Sequence, residues 1–121
     1  MIKVVFFDVD GTLVSHTKGE VPVSTRKAVS RLKEKGIRCV IATGRYMGEL
    51  EKLPVRDIAF DAYITLNGQL CLEQDQSVLS GAALTGADKE QIIRLFERKE
   101  IPVLLVEKER MYINFVNKKV E

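Results

Sequence analysis

Tryptophan is absent from this sequence, histidine occurs once, and cysteine occurs only twice. The two cysteines, Cys39 and Cys71, lack metal-ligand spacing, which argues against a zinc site. Cys39 lies inside an apolar run and is expected as a buried free thiol. Neither sign of charge dominates: 19 Lys and Arg stand against 17 Asp and Glu, a net charge of +2. No basic face for nucleic acid is implied. No apolar run approaches the ~20 residues of a membrane helix, so no membrane partner is expected. No signal peptide is expected either, because the first residues are strand-like and lead straight into acidic residues. The expected location is a reducing cytoplasm. Repeats, low-complexity tracts and obvious linkers are also missing. The length of 121 residues is near that of one domain, and 45% hydrophobic residues can bury a modest core.

What is present begins with Val4-Val5-Phe6-Phe7, a short apolar run closed by Asp8-Val9-Asp10-Gly11-Thr12-Leu13. An apolar run bounded by turn residues reads as a buried strand of a parallel sheet. In such sheets ligands bind beyond the carboxyl ends of the strands. Asp8 and Asp10, two apart in extended chain, can point roughly the same way. Two adjacent carboxylates repel unless a cation or a proton relieves them. An EF-hand loop is excluded, since its sixth and twelfth positions want Gly and Glu, and here they are Leu13 and Gly19.

After this stretch, residues 8–22 read as a polar loop or flap, with His16 as a surface histidine. Ser24 is the expected N-cap of a helix with Ala28, Val29 and Leu32 on its apolar face. Arg26, Lys27, Arg31, Lys33 and Lys35 read as its solvated face, and Gly36 as its stop. Residues 37–42 form a second buried strand, which makes a parallel βαβ unit. Thr43-Gly44-Arg45 ends that strand at the same edge as Asp8. A helix is expected over 46–53, stopped by Pro54, and a third strand over 62–66. Asn67-Gly68 signals a tight hairpin, returning over 69–73 antiparallel, with 77–83 extended. A second pattern follows: a helix from Ala87 or Asp88 to about Lys99, with Ile92, Ile93, Leu95 and Phe96 on one face. Two strands, 102–107 and 111–116, then flank the turn Lys108-Glu109-Arg110.

Asp8-Val9-Asp10-Gly11-Thr12-Leu13 behind an N-terminal strand resembles the first motif of the haloacid dehalogenase (HAD) superfamily, in its phosphatase branch. Ile41-Ala42-Thr43-Gly44-Arg45 and Ile64-Thr65-Leu66-Asn67-Gly68 are similar to the Cof-like group of that superfamily. The resemblance implies an α/β fold: a Rossmann-like parallel sheet over 1–83, incomplete, then the start of an α/β cap subdomain over 84–121. It also implies a Mg²⁺-dependent hydrolase of phosphomonoesters acting on a small phosphorylated metabolite. Asp8 would become an aspartyl-phosphate, and Asp10 would act as acid and then base. The Asp8 side chain and the Asp10 backbone carbonyl would hold Mg²⁺. The Gly11 and Thr12 turn and Thr43 with Gly44 would meet the phosphoryl oxygens. Asn67 lies beside the active site in that group, and a plain hairpin turn is compatible with this. Arg45 has two readings, a substrate contact or a residue lying on the helix, and the sequence does not choose.

About thirty residues separate the first motif from Thr43, room for a flap and one helix. The unit over 84–121 follows the second motif, as in members whose α/β cap is inserted there. The family's third motif, a Lys, and its fourth, a Gly-Asp followed by Asn-Asp, are not among these residues. Lys118 and Lys119 have no Gly-Asp pair after them. Three origins stay open: part of a longer protein, a short gene product, or one partner of an assembly. A homo-oligomer through the unfinished sheet or cap is an expectation that a monomer at all concentrations in sedimentation would sink. The alternative to the enzyme is a non-catalytic binding or assembly module built on the same fold. A receiver-like domain phosphorylated on Asp8 fits less well, because receivers carry their acceptor on a later strand.

Overall fold

The computed structural model describes residues 1–116. Lys118 and Lys119 therefore lie outside the described residues. The chain divides into two compact units, Met1–Gly81 and Ala82–Glu121.

The first unit is one five-stranded sheet in the order of the sequence. Strand β1 (Val4–Phe7) pairs parallel with β2 (Arg38–Ala42), which pairs parallel with β3 (Ala62–Thr65). Strands β4 (Leu70–Glu73) and β5 (Val78–Gly81) continue it antiparallel. Phe7, Ile41, Tyr63 and Leu72 stand opposite one another across four strands and share a face. Against that face pack Val9, Leu13, Val29, Leu50, Val55 and Phe60. The other face carries Phe6, which is 57% exposed on the edge strand β1. Val40, opposite Phe6 on β2, is buried, so on this face the exposure lies at the β1 edge.

The crossover helix α1 (Val23–Glu34) follows Pro22 at φ −57°, a fixed value suited to helix entry. It starts one residue before Ser24, which lies inside the first turn and makes no capping bond. Val29 is buried and Leu32 half-buried, whereas Ala28 is exposed. Gly36, at φ +74°, ends the helix as expected. Its N–H donates to Lys33 O, and the Ile37 N–H donates to Leu32 O, a Schellman closure. The basic face is not wholly solvated. Arg26 donates to Asp57 (2.7 Å) and to the Pro54 carbonyl (3.2 Å), and the Lys33 Nζ donates to the Ala59 carbonyl (2.6 Å). These two side chains tie α1 to the connection between β2 and β3.

That connection holds less helix than expected: a single turn, α2 (Met47–Leu50), then a 3₁₀ turn at Pro54–Asp57. Pro54 cannot continue a helix because it lacks an N–H. The β3–β4 hairpin is real, but its loop is four residues, since Thr65 pairs with Leu70. Leu66, Asn67 and Gly68 all take positive φ (50°, 55° and 92°). The buried Thr65 Oγ1 donates to the Leu70 carbonyl (2.7 Å) and closes the loop.

The second unit has helix α3 (Gly86–Arg98) and an antiparallel hairpin of β6 (Leu104–Val106) and β7 (Met111–Ile113). Ile92, Leu95 and Phe96 are half-buried, but Ile93 is 39% exposed, off the shared face. Asn114 joins the pieces. Its Oδ1 accepts from the Val103 and Phe115 N–H groups, and its Nδ2 donates to the Phe96 and Ile101 carbonyls, all at 2.9–3.1 Å. Asn114→Ala leaves these partners without their amide and is expected to destabilise this unit by about 1–3 kcal/mol. Chemical denaturation checks it, and an unchanged midpoint would contradict the role assigned to Asn114.

Candidate active site

The acidic turn is built around Val9, which is fully buried. The Val9 carbonyl accepts from the N–H groups of Thr12 (3.3 Å), Leu13 (3.0 Å) and Val14 (2.9 Å). Leu13 and Val14 are buried beneath, so the turn is anchored from inside. Asp8 and Asp10, on either side of Val9, are both exposed just past the end of β1. Asp8 Oδ1 accepts from the Val9 N–H at 2.8 Å, which holds the carboxylate against the turn. Gly11 takes φ +75°, and a methyl group there would run into the His16 ring. The Gly11 N–H donates to Val14 O at 2.9 Å. The amides of Gly11 and Thr12 are thus spent inside the turn. They shape it.

From the neighbouring strand, Thr43 is 6% exposed. Its N–H donates to Ile64 O (2.9 Å), and its Oγ1 accepts from the Arg45 N–H (3.1 Å). The hydroxyl proton of Thr43 therefore remains to be given. The loops after β2 and β3 are joined by two further bonds, Asn67 N–H to Thr43 O (3.0 Å) and Leu66 N–H to Arg45 O (3.0 Å). The Asn67 side chain lies over Gly44, where a Cβ would meet its Oδ1 at 3.0 Å. The positive φ of Asn67 serves this junction, since Asn tolerates the left-handed region better than most residues.

Arg45 meets Asp10. Its Nε donates to Asp10 Oδ2 (2.8 Å) and its Nη2 to Asp10 Oδ1 (2.9 Å), a two-pronged grip on the carboxylate. That hydrogen bonding holds the Asp10 carboxyl below its ordinary value of 3.8. Burial opposes the shift, and the charges of Arg45 and, less so, His16 add to it. With the folded value below the unfolded one, the pair contributes stability above about pH 4 and loses it as pH falls through the folded value. Arg45→Ala is expected to return the Asp10 carboxyl toward 3.8, read by carbon-detected NMR titration. An unmoved titration would contradict the pairing.

Asp10, Arg45, Thr43, Gly44 and Asn67 are thus linked into one network, and Asp8 stands beside it at the same sheet edge. Two participants had no reading as site residues. His16 folds back onto Gly11, which nothing in its loop sequence signals. Glu49 lies with Oε1 3.7 Å from Arg45 Nη1, and the i,i+4 spacing was the available clue. Among the described residues, no group of three or more His, Cys, Asp or Glu is placed to hold a metal ion. No described helix is long and apolar enough to cross a membrane.

Residues 5–121 match the family described as haloacid dehalogenase-like hydrolase. The chain belongs to this family. It is 31% identical over 105 residues to YkrA of Bacillus subtilis, a protein named as a phosphatase, covering 87% of this chain and 40% of YkrA. Its fold overlays BT1666 from Bacteroides thetaiotaomicron, an HAD superfamily phosphatase, with a TM-score of 0.84 at 33% identity. That overlay covers 99% of this chain and 44% of the other. The subclass IIB sugar phosphatase BT4131 overlays at 0.71 and 34% identity, covering 92% and 43%. The chain therefore spans less than half the length of these relatives. The HAD-like hydrolase assignment and the α/β fold of the sequence reading both stand.

Proposed function

We propose that this chain carries the phosphoryl-transfer part of a Mg²⁺-dependent phosphomonoester hydrolase acting on a small phosphorylated metabolite in the cytoplasm. The observation that carries the reading is the pair Asp8 and Asp10 flanking a buried Val9 at the end of β1, with the Thr43 hydroxyl on the next strand. Asp8 Oδ2 attacks phosphorus as the ester P–O bond breaks, giving an aspartyl-phosphate and a leaving alkoxide. Asp10, which Arg45 keeps ionised in the free chain, takes up a proton as substrate binds; it gives that proton to the alkoxide, then takes one from the water that attacks the aspartyl-phosphate. Inorganic phosphate leaves, and Asp8 is a carboxylate again. Thr43 donates its hydroxyl to a phosphoryl oxygen throughout.

The residues present suit Mg²⁺, which takes one or two carboxylates or carbonyls and keeps several waters. The Asp8 carboxylate and the Asp10 backbone carbonyl would hold it; the Asp10 side chain is occupied by Arg45. When bound, the ion neutralises charge on the phosphoryl group. The unit Ala82–Glu121 is, in this reading, the beginning of an α/β cap subdomain. BT4131 makes sugar phosphates the first substrates to try. The open β1 edge is where a further strand would add, in a longer form of the chain or in an assembly.

The test is phosphate release from an aryl phosphate and from sugar phosphates, with Mg²⁺ and with a chelator. Release that stops on chelation is expected. No release in either condition, with phosphate still bound, favours a non-catalytic binding module instead.

A further inference from the structure

Arg45 uses only one edge of its guanidinium on Asp10. Nε and Nη2 are engaged, and Nη1 faces Glu49 Oε1 at 3.7 Å. The other Glu49 oxygen, Oε2, accepts from the Tyr46 N–H at 3.3 Å. The Glu49 backbone is itself fixed, because Met47 and Leu50 bury the single turn α2 on either side of it. Both side chains are about one-third exposed, 35% for Arg45 and 34% for Glu49, so neither is held by packing alone. A long side chain in that setting has many rotamers, and something must select the one that lays its fork on Asp10.

We infer that Glu49 is a positioning residue, which holds Arg45 from behind so that its Nε and Nη2 edge stays on the Asp10 carboxylate. Resting on the phosphatase reading, this deepens it: Asp8 attacks, Asp10 moves the proton, Arg45 sets the plane of the Asp10 carboxyl group, and Glu49 sets Arg45. The order of dependence runs from a buried turn outward to an exposed carboxylate. Glu49 touches neither of the carboxylates proposed to react and acts only through Arg45.

Two variants separate this role from helix capping. Glu49→Gln keeps an oxygen for the Tyr46 N–H and removes the charge. Glu49→Ala removes both. The primary readout is solvent exchange of the Arg45 Nε–H, followed by nitrogen-edited NMR on the whole chain without substrate. Both variants are expected to speed that exchange about threefold or more, the scale of a partly exposed ion pair. With an aryl phosphate and Mg²⁺, both are expected to lower kcat with KM little changed, as for loss of an interaction made in the transition state. If Glu49→Gln exchanges like the unaltered chain, the inference is overturned and Glu49 is a cap. Should the unaltered chain release no phosphate, the proposed function fails, while the exchange measurement still decides the role of Glu49.

Discussion

Asp8→Asn is expected to lower phosphate release by roughly a thousandfold or more, the scale seen when a catalytic nucleophile is removed. The amide keeps the size of the carboxylate, and its oxygen can still accept from the Val9 N–H, now at 2.8 Å from Asp8 Oδ1. Folding should be spared, so a melting temperature close to that of the unaltered chain is part of the expectation. The loss falls on kcat, since an amide oxygen cannot open an ester phosphate at a useful rate. A variant keeping more than a tenth of the release would remove Asp8 from the role of nucleophile.

Phe60→Ala is expected to have the largest effect on stability, about 3–5 kcal/mol. Phe60 is fully buried and stands edge-on to Phe7 (6.5 Å between ring centres) and to Tyr63 (6.3 Å). Removing its ring opens a cavity beside Phe7 and Tyr63 and takes away both aromatic contacts. Folded domains of this size hold only about 5–15 kcal/mol in reserve. Phe7 directly precedes Asp8, so the same change loosens the strand that presents the proposed nucleophile. Urea denaturation reads the effect, and a loss under about 1 kcal/mol would mean that this core is not what holds β1.

The parts of the fold legible in the sequence are those fixed by local pattern. Val4–Phe7, the crossover helix and Arg38–Ala42 follow from apolar runs and a helical period broken at Gly36. Parallel pairing then follows from connectivity, and it puts Asp8 and Thr43 at one edge. Long-range hydrogen bonds were not legible. Arg26 and Lys33 look like any solvated helix residues until the segment around Pro54–Asp57 folds beneath them. The Asn67-Gly68 pair signalled a hairpin correctly but not its four-residue loop, which is set by bonds to Thr43 and Arg45. Ser24 had the chemistry of a cap, yet Pro22 fixed the helix entry two residues earlier.

The site divides in the same way. Asp8 and Asp10 were singled out because two carboxylates together at a strand end cost stability unless a cation or a proton relieves them, and Thr43 because it ends the neighbouring strand. Arg45 was left between two readings, because its direction depends on a rotamer that Asp10 and Glu49 select. Gly11 and Thr12 were expected to offer their amides outward. In the structure these two amides have partners inside the turn, since the Val9 and Val14 carbonyls need donors once Val9 is buried.

The most direct test of the central claim is to quench the chain in acid during turnover of an aryl phosphate with Mg²⁺, digest it, and locate the phosphoryl group by mass spectrometry. The account predicts one phosphoryl group on the peptide containing Asp8, absent in Asp8→Asn. Phosphate released with no labelled peptide, or with the label on another residue, would contradict it.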